Sequence, residues 1–457
     1  MNDRNNPGVV DDIAPPAAPR LRKRSILIES ALTLATIAGL YDLVKYIFYH
    51  GYVPLPFVYD TTDTFMDWFN PAYYGNHGHA YSIYHSVYAP LSFVITKVFH
   101  MPGCYETHGK DARMCDPIAL GAIFAFYIIA AIVAAVAFYR NDRKTAPYRS
   151  ITFSVCLPML HGLERGQLVL FAFIFFFAFF GKLIISQRWR AFAIAMMLNM
   201  KSYLLFPVLA LMMKRDWRIL ELGAFASIAV YLITLAIVGE GTPMELYENL
   251  RIWFNAMDSV VWDQVNYSTT YMPFLQFEVS NYPVRTFIDP RIVDIATIVI
   301  LVSTYTSRFL AILMLLFAWL YPRSVPLHRI AFFFLMQSFI QSNPGGYGQA
   351  FPLFLVFMER WTNNRTGLAI VLAYLLCIPT DYMIESVWIV PRTSWLMGRL
   401  VDTYYGLTLG SLVRPGLLML QLWLLAIDSL IDIHREMRIT RPRLWGRAPA
   451  PRQMTAA

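Results

Sequence analysis

Charge is scarce in this chain of 457 residues: Asp, Glu, Lys and Arg make up only 15%, against 57% hydrophobic residues and a mean hydropathy of +0.45. Ordinary soluble domains carry about 25% charged residues, so a soluble globular class is excluded and a polytopic membrane protein is indicated. Motifs that would announce a chemistry by themselves are missing too. There is no Gly-rich phosphate loop, CxxC, HExxH or GxSxG, and no tandem repeat. The net charge of +8 and pI of about 9.2 have a simple source in positive-inside anchoring and contact with anionic lipid, so the bilayer is the implied partner and nucleic acid is not.

What is present is a series of long apolar runs. Ser25 to Ile47, Pro117 to Phe138, Gln167 to Ile185, Ile219 to Val238 and Ile292 to Leu320 suit a bilayer core that needs about 20 residues per helix. Residues 1–24, with Pro and Asp, read as a disordered cytoplasmic tail and not as a signal peptide. Residues 25–433 read as one membrane domain and 434–457 as a basic cytoplasmic tail. Lys and Arg cluster at 20–24, 140–149, 182–190, 214–218, 323–329, 360–365 and from Arg435 onward. Alternating these clusters with the apolar runs puts both termini in the cytoplasm and predicts an all-α bundle of roughly 10–13 transmembrane helices in a cell membrane. The segments expected on the other side are 49–116, 161–167, 199–203, 239–291, 341–349 and 382–410.

Two of the four cysteines, Cys104 and Cys115, lie in the first of these segments, on the oxidising side, where a disulfide is expected. The alternative, a metal held by His100, Cys104, His108 and Cys115, fits no common zinc spacing. Cys156 and Cys377 fall in apolar runs and are expected in the core.

The same segment opens with VYDTTDTFMDWFNPAYYG, from Val58 to Gly75. If Tyr59 to Asn70 is helical, Asp60, Asp63 and Asp67 share one face, where one carboxylate can take the proton of an attacking sugar hydroxyl while its neighbours orient that hydroxyl. The alternative is a set of solvated loop acids. The following Tyr73, Tyr74, His77, His79, Tyr81, Tyr84 and His85 form a density of rings and hydroxyls suited to sugar recognition. Val87 to Phe99 is too short to span and is expected to return to the same side. Lys201, between two short apolar segments, and Arg165, beside His161, Glu164 and Gln167, are the candidate cations for an anionic phosphate; snorkelling or pairing with a local acid is the alternative for both. Arg251, Asn266, Tyr267, Ser268 and Arg285 read better as parts of an interfacial segment than as a site.

The order of DTFMDWFNPAYYG, YSIYHSVYAPLSF, HGLERGQLVLF (His161 to Phe171) and NMKSYLLFPVLALMMKRDWR (Asn199 to Arg218) resembles the lipid-linked glycosyltransferases of the GT-C fold. Nearest is glycosyltransferase family 87, whose members resemble polyprenol-phosphate-mannose-dependent α-mannosyltransferases. The chain departs from the family pattern in having Tyr88-Ala89-Pro90 for Tyr-Pro-Pro, Ser202 after Lys201 and Leu168 after Gln167. The resemblance implies a bacterial inner-membrane enzyme that needs no cofactor or metal. Its donor would be a polyprenyl-phosphate-linked hexose, with mannose as the sugar, and its acceptor a glycan or glycolipid. It implies Asp63 as general base, with Asp60 and Asp67 as rivals, and a substrate site drawn from Asp60, Asp67, His161, Arg165, Gln167 and Lys201. An O-antigen-type polymerase or ligase and a lipid-linked glycan flippase are the competing readings.

Overall fold

A computed structural model describes residues 19–57, 61–256, 265–266, 268–276, 289–340 and 345–438. Asp60, Tyr267, Arg285 and most of both tails lie outside these residues. The first half runs through helices α1 (Pro19–His50), α2 (Met66–His77), α3 (Pro90–Val98), α4 (Gly109–Cys115), α5 (Pro117–Asn141), α6 (Ala146–Ser154) and α7 (Leu157–Glu164). It continues through α8 (Val169–Phe180), α9 (Gln187–Met200) and, after a broken segment at 202–213, the helices Trp217–Val238 and Pro243–Ala256. Further along are the long helices Pro290–Leu320 and Leu409–Met437, with the shorter Leu327–Phe339, Ala350–Phe357 and Asn364–Cys377 between them. The described part is thus an all-α polytopic bundle. It holds five helices long and apolar enough to cross a membrane: 23–50, 117–141, 217–238, 290–320 and 409–437.

The Gln167 to Ile185 run, expected as a span, forms only α8, of 12 residues or about 18 Å. Instead of facing lipid all round, α8 buries its phenylalanines inside the bundle. Phe173 and Phe176 meet Phe351 at 4.7 Å between ring centroids, and Phe177 meets Phe354 at 4.5 Å. Alongside, α5 presents buried Ala122, Ala130, Ala134 and Ala137, small side chains that let helices approach closely. Its start is fixed by Asp116, whose carboxylate accepts from the Ile118 and Ala119 N–H groups at 3.0 Å, with Pro117 at the first helical position.

The two ends of the bundle differ in chemistry. At one end lie Arg140, Arg190, Lys214, Arg215 and Arg360, tied to neighbouring chain ends at Lys182, Asp216, Pro322, Trp319 and Asn141. Two buried ion-pair knots stand just inside this basic end. In the first, Arg149 binds Glu29 through Nε at 2.8 Å and Nη2 at 3.0 Å and donates to the Phe357 and Glu359 carbonyls, while the Tyr374 hydroxyl donates to Glu29 at 3.0 Å. In the second, Arg329 grips Glu359 at 2.6 and 2.7 Å and reaches Asp428 at 3.2 Å.

The opposite end carries α2, α3, α4 and a β-hairpin. The single helical face considered for the acids is not present, because residues 61–70 do not form one continuous helix. Thr61–Asp63 is a single 3-10 turn, and Phe65, at φ +63°, breaks the chain direction before α2 starts at Met66. The reason is tertiary: the Phe65 ring is buried against Trp395 at 5.2 Å, and its N–H leaves the local ladder to bond the Glu164 carbonyl. Arg113 of α4 braces the 3-10 turn by donating to the carbonyls of Thr62 and Thr64. Cys104 and Cys115 are bonded to one another, so their sulfurs are not metal ligands; Cys156 and Cys377 are free and buried.

The segment 382–410, expected as a loop, is an antiparallel hairpin of β1 (Met383–Thr393) and β2 (Leu400–Thr408). Its β-branched and aromatic residues favour strands, and its tip docks on the first loop. There the Thr61 hydroxyl donates to the Thr393 carbonyl at 3.1 Å, the Ser394 hydroxyl to the Gly51 carbonyl, and the Arg113 guanidinium lies 5.3 Å from the Trp395 ring.

Removing one partner of a buried ion pair leaves the other charge stranded, at about 3–5 kcal/mol. Arg149→Met is therefore expected to lower the melting temperature in detergent sharply. Glu29→Gln with Arg149→Met should recover much of the loss, and a melting curve unchanged by Arg149→Met would contradict the role assigned to this knot.

Candidate active site

The site begins with the way α7 ends. The Gly166 N–H bonds the Leu163 carbonyl at 2.9 Å and the Gln167 N–H bonds the Gly162 carbonyl at 2.9 Å, with Gly166 at φ +61°. These bonds close the helix with a left-handed glycine and turn Arg165 and Gln167 out at its tip. A side chain at Gly166 would be strained, and its Cβ would lie 2.8 Å from the Phe65 carbonyl oxygen. That close approach lets the first loop lie against the tip of α7. The Phe65 N–H donates to the Glu164 carbonyl at 2.8 Å and the Asp67 N–H to the Arg165 carbonyl at 3.0 Å.

On this backbone seam Arg165 holds two carboxylates at once. Its Nε and Nη2 bind the two Asp67 oxygens at 3.2 and 3.1 Å, and its Nη1 binds Asp63 at 2.5 Å. The planar fork of arginine suits such bidentate pairing. Gln167 donates to Asp67 Oδ2 at 2.7 Å. The two acids are thus treated unequally. Asp67, 23% exposed, is held by Arg165 and Gln167 together, whereas Asp63, 36% exposed, meets Arg165 through one oxygen and stands closer to solvent.

Lys201, at the end of α9, completes the constellation. Its Nζ stands 4.6 Å from the Tyr88 ring centroid and 5.7 Å from that of Tyr347, within cation–π range. Burial lowers its ammonium to about 8, against the opposing pull of Asp67, so it is still largely a cation at neutral pH. Burial first, and then the Arg165 charge, push His161 down to about 3, so its imidazole is neutral at physiological pH. Burial pushes the Glu164 carboxyl well above the usual range, and neither of its oxygens has a hydrogen-bond partner among the described residues.

The structure thus brings Asp63, Asp67, His161, Arg165, Gln167 and Lys201 together from the first loop, α7 and the end of α9. Of the two alternatives for the cations, acid pairing describes Arg165, while Lys201 sits among rings. Sequence reading missed Tyr88 and Tyr347 as the faces on which Lys201 rests, although both lie in stretches rich in such residues. It also missed Arg414, which binds Asp381 at 2.6 Å and the Asn266 carbonyl at 3.0 Å and adds to the field that depresses His161. Nothing near Arg414 in the sequence marks it, since it lies in the apolar run of the last helix. Asn266 and Ser268 are buried.

A family model of glycosyltransferase family 87 matches residues 87–341, more than half of the chain. The matched stretch includes Tyr88, His161, Arg165, Gln167 and Lys201 and begins after Asp63 and Asp67. No curated protein and no solved structure matches the chain.

Because Arg165 is the common partner of Asp63 and Asp67, Arg165→Gln leaves two carboxylates facing each other with no cation between them. A destabilisation of about 3 kcal/mol is expected, and Asp67→Asn in the same chain should recover part of it. Melting of the two single variants and the double variant measures the coupling; simple additivity would mean that the pair is not energetically linked.

Proposed function

The chain belongs to glycosyltransferase family 87, and on that premise we propose that it transfers a hexose, with mannose as the sugar, from a polyprenyl-phosphate donor to a glycan or glycolipid acceptor at the extracytoplasmic face. Membership in a glycosyltransferase family removes the flippase reading. The location is supported by the separation of the site from the basic end of the bundle, since Lys and Arg concentrate on the cytoplasmic side. The observation that carries the mechanism is the unequal treatment of the two aspartates by Arg165.

In the proposed reaction the acceptor hydroxyl attacks the anomeric carbon and gives its proton to Asp63, while the bond from that carbon to the phosphate oxygen breaks. The electron pair leaves on the phosphate, which meets the Lys201 ammonium; the anomeric configuration inverts. Asp67 has both oxygens engaged by Arg165 and Gln167 and serves to position Arg165. Asp63 has the greater access to an incoming hydroxyl. On this reading Asp63 is the base and Asp67 its support. A diphosphate-linked donor, as a polymerase would use, calls for more cations; Arg165 and Arg414 are already engaged by carboxylates.

Transfer of radiolabelled mannose from polyprenyl-phosphate-mannose, in membranes with matched expression, tests the assignment. Asp63→Asn keeps the shape without the base and is expected to lose about a hundredfold or more in kcat. Asp67→Asn should lose less. Full activity in Asp63→Asn would refute the base assignment, and no transfer by the wild type would refute the donor.

Lys201 supplies a pH test. The cation that meets the phosphate is present below about 8 and lost above it, so kcat/KM for the donor is expected to fall as pH rises through about 8. Lys201→Arg should abolish that limb. The sign for stability is opposite: between the folded value near 8 and the ordinary 10.5 the unfolded chain binds more protons, so this residue's contribution to stability rises with pH. A falling rate in that window is then not unfolding driven by Lys201.

A further inference from the structure

Residues 78–89, between α2 and α3, are anchored beyond what a connection needs. Asn249 donates to the carbonyls of Tyr81 at 2.9 Å and Ser86 at 3.1 Å, and the Ala80 N–H donates to Glu240 at 2.9 Å. The Tyr81 hydroxyl donates to the Tyr88 carbonyl at 2.6 Å, and its ring is buried against Gly241, where any Cβ would lie 2.5 Å from it. Two residues that are not glycine, His79 at φ +61° and His85 at φ +47°, are held in the left-handed region. Strained backbone kept in place by buried hydrogen bonds points to a loop that must present something in one position.

What it presents is Tyr84. Its ring stacks on Tyr74 at 4.2 Å between centroids and 13° between planes, and Tyr73 meets it edge-on at 5.9 Å. His77 leans on Tyr73 at 4.2 Å. Tyr73, Tyr74 and Tyr84 are all half-buried, and after burial the charges of Asp63 and then Asp67 are what most raise the Tyr74 phenol. Tyr74 follows Asp67 by seven residues on α2, so the two lie on one helix face about two turns apart, and the stacked rings continue the face that carries that carboxylate. At the far end of the same loop, Tyr88 underlies Lys201.

We propose that Tyr84, backed by Tyr74 and Tyr73, is the platform on which the sugar ring of the acceptor stacks, so that its hydroxyl reaches Asp63. This rests on the function proposed above and assigns the acceptor's place within it. A pyranose has an apolar C–H face and a rim of hydroxyls, which matches a flat aromatic face edged by phenol and imidazole groups. One loop then sets the distance between acceptor and donor, with Tyr84 at one end and Tyr88 at the other.

The full chain in detergent, probed by saturation-transfer NMR with methyl α-mannoside, α-glucoside and α-galactoside, tests the platform without requiring turnover. At least one glycoside is expected to receive saturation from the wild type. Tyr84→Ala should weaken its binding about tenfold, a loss equal to roughly 1.4 kcal/mol, and Tyr84→Trp should retain it. Should Tyr84→Ala fail to fold, Tyr84→Phe against Tyr84→Leu makes the same comparison of ring with no ring. Absence of transfer to all three glycosides, or unchanged binding without the ring, overturns the proposal and assigns these rings to the bilayer interface. Binding retained by an Asp63→Asn variant that still transfers sugar would leave the platform standing and refute the base.

Discussion

A guanidinium shared between two carboxylates is the interaction on which this end of the protein depends. Arg165 sits where α7 stops, and its position is set by backbone before its charge comes into play: the left-handed Gly166 and the two hydrogen bonds from Phe65 and Asp67 press the first loop onto the tip of the helix. The fork makes the two aspartates inequivalent, since it binds Asp67 through two nitrogens and Asp63 through one. Similar residues in a similar setting thereby acquire different surroundings. Charges in an apolar bundle must be paired to be tolerated, and the chain meets that requirement with Glu29–Arg149, Arg329–Glu359–Asp428 and Asp381–Arg414 as well. Those knots tie helices together, whereas the Arg165 pair also leaves one carboxylate accessible.

The residues of the site were largely legible in the sequence and its shape was not. Asp63, Asp67, Arg165, Gln167 and Lys201 stand out because polar side chains are rare in so apolar a chain. The spacing of the acids suggested one continuous helix, however, and that inference failed at Phe65, whose left-handed backbone is imposed by Trp395 and Glu164, residues far away along the chain. No local pattern carries such information. The hairpin was missed for a related reason: Met383–Thr393 is rich in β-branched residues, but in a membrane protein such a stretch between apolar runs reads only as an outer segment.

The apolar runs were read correctly as helical and less well as to length. Hydropathy cannot tell a helix that faces lipid from one that is sheathed by other helices, and α8 belongs to the second kind. Its phenylalanines interlock with those of Ala350–Phe357, so this part of the bundle is held by aromatic packing between short elements and not by the length of any one of them. Short, mutually buried helices can end at membrane depth, where their tips expose polar groups.

The docking of the hairpin tip on the first loop has a consequence for how the protein is made. Thr61 and Thr393 are 332 positions apart, yet they share a hydrogen bond. The carboxylate loop leaves the ribosome long before the strand that braces it, and for most of synthesis Phe65 has no Trp395 to pack against. Contacts this distant along the chain form late. The conformation that separates Asp63 from Asp67 is therefore completed only once nearly the whole polypeptide has been inserted, so that a nascent chain holds its acids before it holds them in working order.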